Sequence, residues 1–508
     1  MALPKLAAPQ AAAWLAARVS GMLRTDHRLL QPGDGFIAWP GQRVDARRFV
    51  QAALDAGAAA CLVEADGAEE AVDASDARIA SVTGLQSQIG TIASAFHGHP
   101  SRTLRMLAVT GTNGKTSTAW WTAQALTALG QRCGVVGTLG IGAPGPVEAL
   151  VDSGLTTPDA VQLQQALRGF VDNGYTACAL EASSIGLQQQ RLAGTHIDVA
   201  LFSNLSRDHL DIHGSMEAYR DAKRMLFSWP GLRAAVLNID DAVGAAFADE
   251  LMLGNVEGAL KVWTVSRQTG ARLRVTNLRI EEGGLVFEVH ETGAVAIAET
   301  VATVATVKSA LVGDFNVDNL LLVIGALRAS DVSLVDAAAA VSASSPVPGR
   351  LQRIDGRDLV VVVDYAHTPD ALQKALQALR PLATARNGRL WCIVGCGGNR
   401  DATKRPLMGA VAAAHADHVV LTSDNPRDEA PSMILSQILA GVTGHDDVDV
   451  IEDRHAAIAG AVQRAARGDV LLLAGKGHEQ TQEIAGVRRV FCDASEARAA
   501  LAAREMAA

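Results

Sequence analysis

A glycine-containing loop between a predicted strand and a predicted helix is the sharpest chemical signal in the sequence. It reads TGTNGKTS over Thr110–Ser117 and follows the apolar run Met106–Val109. Glycines let backbone N–H groups face a phosphate, and the helix N-terminus adds partial positive charge. Lys115 adds a full charge, and the Thr116 hydroxyl suits Mg²⁺. The predicted nucleotide-binding residues are Gly111, Thr112, Asn113, Gly114, Lys115, Thr116 and Ser117.

This loop is not a complete P-loop motif, because Val109 stands six positions before Lys115, where that motif has glycine. The alternative is an ordinary strand–helix turn whose lysine lies on the surface. We favour the nucleotide site because the strand, the loop and the helix follow one another in the order that phosphate binding requires.

Two further segments carry candidate metal ligands. Glu181 ends the apolar run Ala177–Leu180, and open α/β sheets bind ligands at the carboxyl ends of their strands. The alternative for Glu181 is a helix N-terminal acid. His209 and His213 stand four apart without an HExxH pattern, which argues against zinc. A lone histidine is more often structural than a ligand.

These residues need a parallel sheet to bring them to one edge. Over residues 102–345 short apolar runs alternate with helical stretches, which predicts βαβ units and a mostly parallel, P-loop-type central domain. Residues 260–310 instead alternate Thr and Val, which predicts an antiparallel flap. The predicted central strands are Met106–Val109, Gly134–Thr138, Ala177–Leu180, Val199–Phe202 and Ala235–Ile239.

Two other α/β domains flank the central one. Residues 1–101 predict a small N-terminal domain that contains strands Gly35–Ala38 and Ala59–Val63 and ends at a linker near His97–Ser101. After the boundary Pro346–Arg350, residues 346–508 predict a Rossmann-like doubly wound domain, because continuous apolar runs are typical of buried parallel strands. Those runs are Leu359–Val363, Leu390–Val394, His418–Thr422 and Val470–Leu473.

Composition excludes several classes of protein. The 508 residues are 49% hydrophobic and 19% charged, with a net charge of −9, which fits folded domains and not a disordered chain. An acidic chain without a basic run argues against nucleic acid as a partner. No apolar run approaches the ~18 residues of a membrane helix, so no membrane partner is expected. The six scattered cysteines predict reduced thiols in a cytoplasmic protein.

Taken together, the motifs resemble those of the Mur ligases, the ATP-dependent ligases that build the peptidoglycan stem peptide. The resemblance extends from about residue 25 to residue 493, and the motifs occur in the same order as in that family. They are Thr110–Ser117, Glu181–Ser184, Asn204–Gly214, Ala218–Phe227, Gly313–Asn319, Pro348–Arg350 and Asp364–Asp370.

Other motifs resemble the members that add meso-2,6-diaminopimelate to UDP-N-acetylmuramoyl-L-alanyl-D-glutamate. Arg427 lies in a DNPR motif, and lysine-adding members lack this arginine. A guanidinium can hold the second carboxylate of diaminopimelate bidentately, whereas it repels the terminal ammonium of lysine. The alternative for Arg427 is a salt bridge with Asp428 or Glu429. The motifs are Thr156–Pro158, Gly395–Asp401, Asp424–Arg427 and Gly475–Glu479.

The resemblance implies a reaction in two steps. The γ-carboxylate of the substrate's D-glutamate attacks the γ-phosphate of ATP to give an acyl phosphate, and the amine of diaminopimelate then displaces phosphate. Thr116 and Glu181 would hold one Mg²⁺, and His209 a second. Lys223 would be carbamylated, which turns a cation into an anion that supports the second metal. The implied catalytic residues are Lys115, Lys223 and His209.

The resemblance also implies three sets of binding residues. The set implied for ATP contains the loop residues Gly111–Ser117 and also Asn316, Asn319, Arg350, Asp364, Tyr365 and His367. For the UDP-linked substrate they are Arg28, Thr156, Thr157, Ser183, Gln189 and Arg191. For diaminopimelate they are Arg400, Asp424, Asn425, Arg427, Gly475 and Glu479.

Three alternatives to this function are open, and the sequence argues against each of them. A related ligase could add another amino acid such as L-lysine, or D-Ala-D-Ala, or glutamate to folate, but the DNPR and GKGHE runs argue against it. A P-loop NTPase switch or kinase would leave Glu181, His209 and Lys223 unexplained. A non-catalytic scaffold would be expected to lose Lys115, Glu181 or His209. We therefore expect a cytoplasmic, monomeric ligase that uses ATP and Mg²⁺ and closes about a hinge at Pro346–Arg350.

Overall fold

A computed structural model describes residues 3–41, 44–254, 259–268, 270–281, 283–292 and 303–507. The chain divides into two compact units. In the described residues no helix is long and apolar enough to cross a membrane. The first unit is Met1–Arg274, His290–Thr303 and Leu321–Ala340, and the second is Val275–Val289, Val304–Leu320 and Val341–Ala508.

The first unit begins with a four-stranded parallel sheet in the order β1-β2-β3-β4. Its inner strands are buried on both faces, with helices packed against them. The predicted strands Gly35–Ala38 and Ala59–Val63 are confirmed to within one residue at each end. The elements are α1 (Ala8–Ala16), β1 (Leu23–Arg24), β2 (Gly35–Ala38), α2 (Val50–Asp55), β3 (Ala60–Glu64), α3 (Ala68–Ala71), β4 (Ile79–Val82) and α4 (Leu85–Phe96).

The central sheet of the first unit carries the glycine-containing loop. Its strands run in the order β11-β10-β9-β5-β8-β6-β7, and all pairs are parallel except β6 with β7. The five predicted strands are confirmed to within one residue at each end. The elements are β5 (Arg105–Thr110), α5 (Lys115–Ala128), β6 (Cys133–Gly137), β7 (Gly140–Gly142), α6 (Ala160–Asp172), β8 (Ala177–Glu181), α7 (Ser184–Gln188), β9 (Val199–Phe202), α8 (Leu210–His213), α9 (Met216–Arg224), β10 (Ala234–Asn238), α10 (Ala242–Gly254) and β11 (Lys261–Ser266).

The antiparallel flap predicted over residues 260–310 is wrong at its first strands. β11 runs parallel to β10, because α10 crosses over between them and a helical crossover returns the chain in the same direction. Val265 and Ser266 also pair in parallel with Leu273 and Arg274. Residues 293–302 of the predicted flap lie outside the described residues. The later strands are β12 (Leu273–Glu281), β13 (Gly284–Glu291) and β14 (Thr303–Ser309).

The second unit contains a doubly wound sheet in the order β15-β16-β20-β17-β18-β19, parallel except for β15. Side chains alternate along β16 between two cores: Val360 and Val362 pack on one face, Val361 and Val363 on the other. Burial of both faces explains the continuous apolar runs. The strands are β15 (Gln352–Asp355), β16 (Val360–Asp364), β17 (Leu390–Val394), β18 (His418–Leu421), β19 (Val448–Val450), β20 (Val470–Ala474), β21 (Thr481–Ile484) and β22 (Val487–Val490).

Helices cover both faces of this sheet, as the predicted Rossmann-like class requires. The α/β class, the mostly parallel central sheet and the doubly wound C-terminal sheet are thereby confirmed, while the exact domain boundaries stay predictions. The helices from residue 316 onward are α11 (Asn316–Ala329), α12 (Leu334–Ser342), α13 (Pro369–Ala385), α14 (Lys404–His415), α15 (Pro431–Leu439), α16 (Arg454–Arg464) and α17 (Asp493–Ala507).

Candidate active site

The loop Gly111–Gly114 joins β5 to α5 in a conformation that depends on glycine. Gly111 has φ +147°, and a Cβ there would clash with the Ser203 hydroxyl oxygen. Gly114 has φ +86° and precedes the first helical residue, Lys115. Both glycines occupy the backbone region that side chains disfavour, so the chain can turn from strand to helix within four residues.

Asn204, two residues after β9, holds the outer part of this loop. Its backbone oxygen accepts from the Thr112 N–H at 2.7 Å, and its side-chain oxygen accepts from the Asn113 N–H at 3.0 Å. Those two donors are used within the protein. The start of α5 offers other donors for a phosphate, because a helix leaves its first N–H groups without intrahelical partners.

Two lysine side chains converge on one backbone oxygen of the loop. Lys115 Nζ donates to the Gly111 oxygen at 2.9 Å and to the Thr112 oxygen at 2.8 Å. Lys223 Nζ donates to the same Gly111 oxygen at 2.7 Å. Lys223 is 1% exposed, and burial together with the charge of Lys115 holds its pKa well below the usual range, against an opposing effect of Asp208. The Lys223 amine is therefore favoured in its uncharged form.

One aromatic ring covers that amine, and a second ring packs against the first. The Tyr219 ring lies 4.3 Å from Lys223 Nζ, and its hydroxyl is 3.2 Å from Thr112 Oγ1. The His213 ring packs 5.0 Å from the Tyr219 ring, and its Nε2 lies 3.0 Å from Ser184 Oγ. Burial raises the pKa of Tyr219 to about 12 and lowers that of His213, so both rings stay uncharged near neutral pH.

Glu181 and Thr116 meet beside the loop, as the resemblance implied. The buried Glu181 carboxylate accepts from Thr116 Oγ1 at 3.1 Å, from the Thr138 N–H at 2.7 Å and from Thr138 Oγ1 at 3.2 Å. Parallel pairing of β8 with β5 and β6 puts these residues at one edge of the sheet. A hydroxyl and a carboxylate are oxygen ligands of the kind Mg²⁺ prefers.

His209 lies on the open side of this cluster. Its side chain is 44% exposed, its Nε2 is 3.5 Å from an Asp208 carboxylate oxygen, and its ring centroid is 6.1 Å from that of Tyr219. Among the described residues no three His, Cys, Asp or Glu side chains form a metal cluster. Mg²⁺ at nucleotide sites usually takes only one or two protein carboxylates and completes its shell with phosphates and water, so the residues present fit it.

Five of the six residues implied for the UDP-linked substrate lie close to Glu181. Thr157 Oγ1 donates to the Glu181 backbone oxygen at 2.7 Å and lies 3.0 Å from Ser183 Oγ. Arg191 donates to the Thr157 backbone oxygen at 2.8 Å and to the Gln189 side chain. The fifth is Thr156, whose Oγ1 lies 3.1 Å from Thr138 Oγ1.

The sixth residue, Arg28, has a different setting. Its side chain is 77% exposed and pairs at 2.6 Å with Asp26, whose pKa it lowers to about 2. His27 stacks on Phe49 at 4.1 Å between centroids. Arg28 and His27 lie in the segment between β1 and β2, and Phe49 directly precedes α2.

The other ATP residues form two groups within the second unit. The two asparagines are buried: Asn319 Nδ2 donates to Asn316 Oδ1 at 3.0 Å, and Asn316 Nδ2 donates to the Val312 oxygen at 2.7 Å. The adenine contact suggested for both asparagines stays a prediction. The second group is Arg350, Asp364, Tyr365 and His367.

That second group lies at the carboxyl end of β16. Arg350 lies over the Tyr365 ring at 4.8 Å, and the His367 ring is 4.7 Å from that of Tyr365. The Asp364 carboxylate accepts from the Leu351 N–H at 2.7 Å. Burial raises the pKa of Asp364 and lowers that of His367, while Arg350 partly offsets the effect on Asp364.

The residues implied for diaminopimelate cluster at the carboxyl ends of β17, β18 and β20. Arg427 Nη1 donates to the Gly398 oxygen at 2.8 Å. The alternative salt bridge is not formed, because Asp428 accepts from Asn399 and Glu429 pairs with Arg405. Within residues 303–507 the Arg427 guanidinium makes no ion pair with a carboxylate.

Two acids lie on the other side of this cluster. Asn425 Nδ2 donates to Glu479 Oε2 at 2.7 Å, and the Asn425 N–H donates to Asp424 Oδ1 at 2.7 Å. A Cβ at Gly475 would come within 2.5 Å of the second Asp424 carboxylate oxygen, so the glycine allows the close approach. Arg400 is exposed beside this group.

Sequence reasoning missed three residues of these clusters. Thr138 holds Glu181, Tyr219 covers Lys223, and Lys476 binds both Asn425 and Glu479. Tyr219 and Lys476 lie inside motifs that the sequence singled out, so their position in those motifs was an available signal. Thr138 follows β6, and only the strand order reveals that β6 neighbours β8.

Comparison with known proteins gives consistent matches along the chain. Residues 109–327 match the Mur ligase middle domain, and residues 349–477 match the Mur ligase glutamate ligase domain. A protein of Acidovorax sp. (strain JS42) named UDP-N-acetylmuramoyl-L-alanyl-D-glutamate--2,6-diaminopimelate ligase is 51% identical over 504 residues, 97% of each chain. A protein of the same name from Ralstonia nicotianae is 48% identical, over 97% of this chain and 95% of its own.

Solved structures agree with these relatives. A structure of a UDP-N-acetylmuramoyl-L-alanyl-D-glutamate--2,6-diaminopimelate ligase matches with a TM-score of 0.65 and 36% identity, over 95% of both chains. The MurF ligase from Thermotoga maritima in complex with ADP shares the fold, with a TM-score of 0.65 at 18% identity over 97% of this chain and 99% of its own.

The glycine loop gives a first test. Gly111→Ala places a Cβ against Ser203 at positive φ, so we expect loss of most ATP binding and a lowered Tm. Gly130→Ala is the matched control, because Gly130 also has positive φ (+80°) but a Cβ there meets nothing within 4 Å. Calorimetric titration with ATP would measure both variants. Equal ATP affinities would contradict the role of the loop.

Proposed function

The chain belongs to the Mur ligase family, and we propose that it adds meso-2,6-diaminopimelate to UDP-N-acetylmuramoyl-L-alanyl-D-glutamate at the expense of ATP. One observation carries the choice of amino acid. The second unit gathers in one cluster two acids, Asp424 and Glu479, and the guanidinium of Arg427, which has no carboxylate partner among the residues that the structure describes. That set complements an ammonium next to a carboxylate at the far end of a substrate.

The amino acid would bind with its charges matched to this cluster. Asp424 and Glu479 receive the ammonium of the non-reacting end, and Arg427 and Arg400 receive carboxylates. A guanidinium holds a carboxylate through two parallel hydrogen bonds, which fixes direction as well as charge. L-Lysine has an ammonium and no second carboxylate at that end, so Arg427 disfavours it.

The first unit would activate the UDP-linked substrate. The γ-carboxylate of its D-glutamate attacks the γ-phosphate of ATP and forms an acyl phosphate with loss of ADP. Lys115 neutralises phosphate charge as the two anions approach. Thr116 and Glu181 would hold Mg²⁺, which supplies further charge neutralisation when bound. Thr156, Thr157, Ser183, Gln189 and Arg191 line the side of Glu181 where the substrate carboxylate would lie.

The second step forms the amide bond. The uncharged amine of diaminopimelate attacks the acyl carbon, a tetrahedral intermediate forms, and inorganic phosphate leaves. The attacking nitrogen loses one proton as the amide forms, and the departing phosphate takes that proton up as HPO₄²⁻. His209, exposed at the open side of the cluster, would support a second Mg²⁺ close to the acyl phosphate. Arg28 would help to bind the UDP end of the substrate.

Lys223 would act as a carbamate. A buried amine held uncharged is the form that adds CO₂: the nitrogen lone pair bonds to carbon, and one proton leaves. The product is an anion, which would attract the ammonium of Lys115 where the neutral amine did not. It would also give His209 an anionic neighbour for the second metal.

The remaining ATP contacts come from the second unit. Asn316 and Asn319 would reach the adenine, and Asp364 with Tyr365 and His367 the ribose. Arg350 would contact the phosphates, with Pro346–Arg350 as the hinge for closure. The enzyme would act as a monomer in the cytoplasm, where ATP and UDP-linked precursors are available.

Phosphate release tests the proposed reaction. The purified protein is given ATP, Mg²⁺ and UDP-N-acetylmuramoyl-L-alanyl-D-glutamate with either meso-diaminopimelate or L-lysine. We expect phosphate release with diaminopimelate and little with lysine. Equal or faster release with lysine would still support a ligase reaction, but it would overturn the role of Arg427 in selecting the amino acid. No release with either amino acid, despite ATP binding, would overturn the proposed reaction.

Arg427 variants test the selection of the amino acid. Arg427→Ala removes a charge-assisted, bidentate contact, so kcat/KM for diaminopimelate should fall by about ten- to a hundredfold. Arg427→Lys keeps the charge but cannot form two parallel hydrogen bonds to one carboxylate. Its kcat/KM for diaminopimelate should lie between those of Arg427→Ala and the unaltered enzyme. KM for ATP should be the same in all three. An unchanged kcat/KM in Arg427→Ala would contradict the assignment.

Lys223 variants test the carbamate. Lys223→Ala and Lys223→Arg should both lose at least about a hundredfold in kcat, because neither can form the anion. Retained activity in Lys223→Arg would mean that a positive charge suffices at this position, against the proposal. Calorimetric titration with ATP checks that both variants still bind the nucleotide.

A further inference from the structure

A fully buried lysine lies behind the amino-acid cluster, and the proposed reaction gives it no role. Lys476 follows β20 and is 0% exposed. Its Nζ donates to Glu479 Oε2 at 2.9 Å, to the Thr481 backbone oxygen at 2.8 Å and to Asn425 Oδ1 at 3.2 Å. An ammonium has three protons, so each contact uses one of them.

The first consequence is a fixed orientation for the Asn425 amide. Asn425 Oδ1 accepts from Lys476 and, at 3.0 Å, from the Glu483 N–H. Its Nδ2 donates to Glu479 Oε2 at 2.7 Å. A flipped amide would turn its NH₂ group toward two other donors and its oxygen toward a carboxylate. Lys476, together with the Glu483 N–H and the Glu479 carboxylate, therefore determines which way Asn425 presents its polar atoms.

The second consequence concerns the Glu479 carboxylate. Oε2 receives two donors, Lys476 Nζ and Asn425 Nδ2, and both come from buried side chains. The carboxylate is thereby held in one rotation, with Oε1 directed away from that pair. A substrate ammonium would then meet an oxygen whose position is set in advance, which reduces the entropy lost on binding.

The third contact connects these acids to the segment that carries Arg427. Thr481 opens β21, and Arg427 lies alongside that strand: its N–H donates to the Glu483 oxygen at 3.0 Å, and its oxygen accepts from the Ala485 N–H at 2.6 Å. Arg427 itself has φ +52°, an uncommon conformation for a side-chain-bearing residue. The Lys476 ammonium thus bonds both to Glu479 and to β21, the strand that pairs with the backbone of Arg427.

We propose that Lys476 is a positioning residue that fixes the separation between the ammonium-binding acids and Arg427, and thereby the selectivity for an amino acid with a distal carboxylate. This inference rests on the proposed function. Lys476 does not touch the substrate. It acts through Glu479, Asn425 and β21.

Lys476→Met tests this role in the full-length enzyme, because methionine has a similar length but donates no hydrogen bond. KM for diaminopimelate should rise by about ten- to a hundredfold, the range for a lost charge-assisted hydrogen bond. kcat should change less, and KM for ATP should not change. A KM for diaminopimelate equal to that of the unaltered enzyme would overturn the inference.

A double variant separates positioning from general stability. If Lys476 acts through Glu479, then Lys476→Met combined with Glu479→Gln should have a KM close to that of Glu479→Gln alone. If Lys476 were purely structural, the effects of the two substitutions on KM for diaminopimelate would multiply. KM for ATP would rise and kcat would fall by a similar factor, and that result would also overturn the inference. If Lys476→Met does not fold, Lys476→Gln, which has donors but no charge, carries the same expectations.

The unaltered enzyme distinguishes this inference from the proposed function. Failure to release phosphate with diaminopimelate would overturn the function itself. Normal release with diaminopimelate, together with an unchanged KM in Lys476→Met and Lys476→Gln, would overturn only the role of Lys476. Lys476→Arg keeps a charge at this position and should recover part of the lost affinity for diaminopimelate.

Discussion

Two lysine amines share one backbone oxygen, that of Gly111, and the chemistry of the first unit depends on how this conflict is resolved. Two ammonium groups at hydrogen-bond distance from one atom repel each other, and burial makes the charge on Lys223 costlier still. The pKa of Lys223 is lowered as a consequence, which favours its uncharged form. An uncharged Lys223 would leave Lys115 as the cation that phosphate binding needs.

The same constraint explains why the surrounding residues have their particular types. Gly111 must lack a side chain so that its oxygen can face both amines while its Cα approaches Ser203. Tyr219 covers Lys223 with a ring and reaches Thr112 with its hydroxyl, which ties α9 to the loop. In the second unit the buried lysine has a carboxylate, not a second amine, as its neighbour. Lys476 donates to Glu479 and holds that carboxylate in a fixed position.

Much of the fold could be predicted because burial on both faces of a parallel sheet leaves continuous apolar runs, such as β9 and β17. The direction of β11 could not, since alternation of Thr and Val reports one buried face and says nothing about the neighbouring strand. The Thr116–Glu181 pair followed from the resemblance. The roles of Thr138 and Lys476 depend on which strands adjoin, and a lysine in a sequence is ordinarily expected on the surface.

The charge state of Lys223 is the most direct test of this account. The protein would be equilibrated with ¹³C-bicarbonate, and its ¹³C NMR spectrum compared with that of Lys223→Ala. The account predicts a carbamate resonance in the unaltered protein that is absent from the variant. A spectrum without that resonance, together with an Nζ of Lys223 that stays protonated up to the ordinary pKa of lysine, would contradict it.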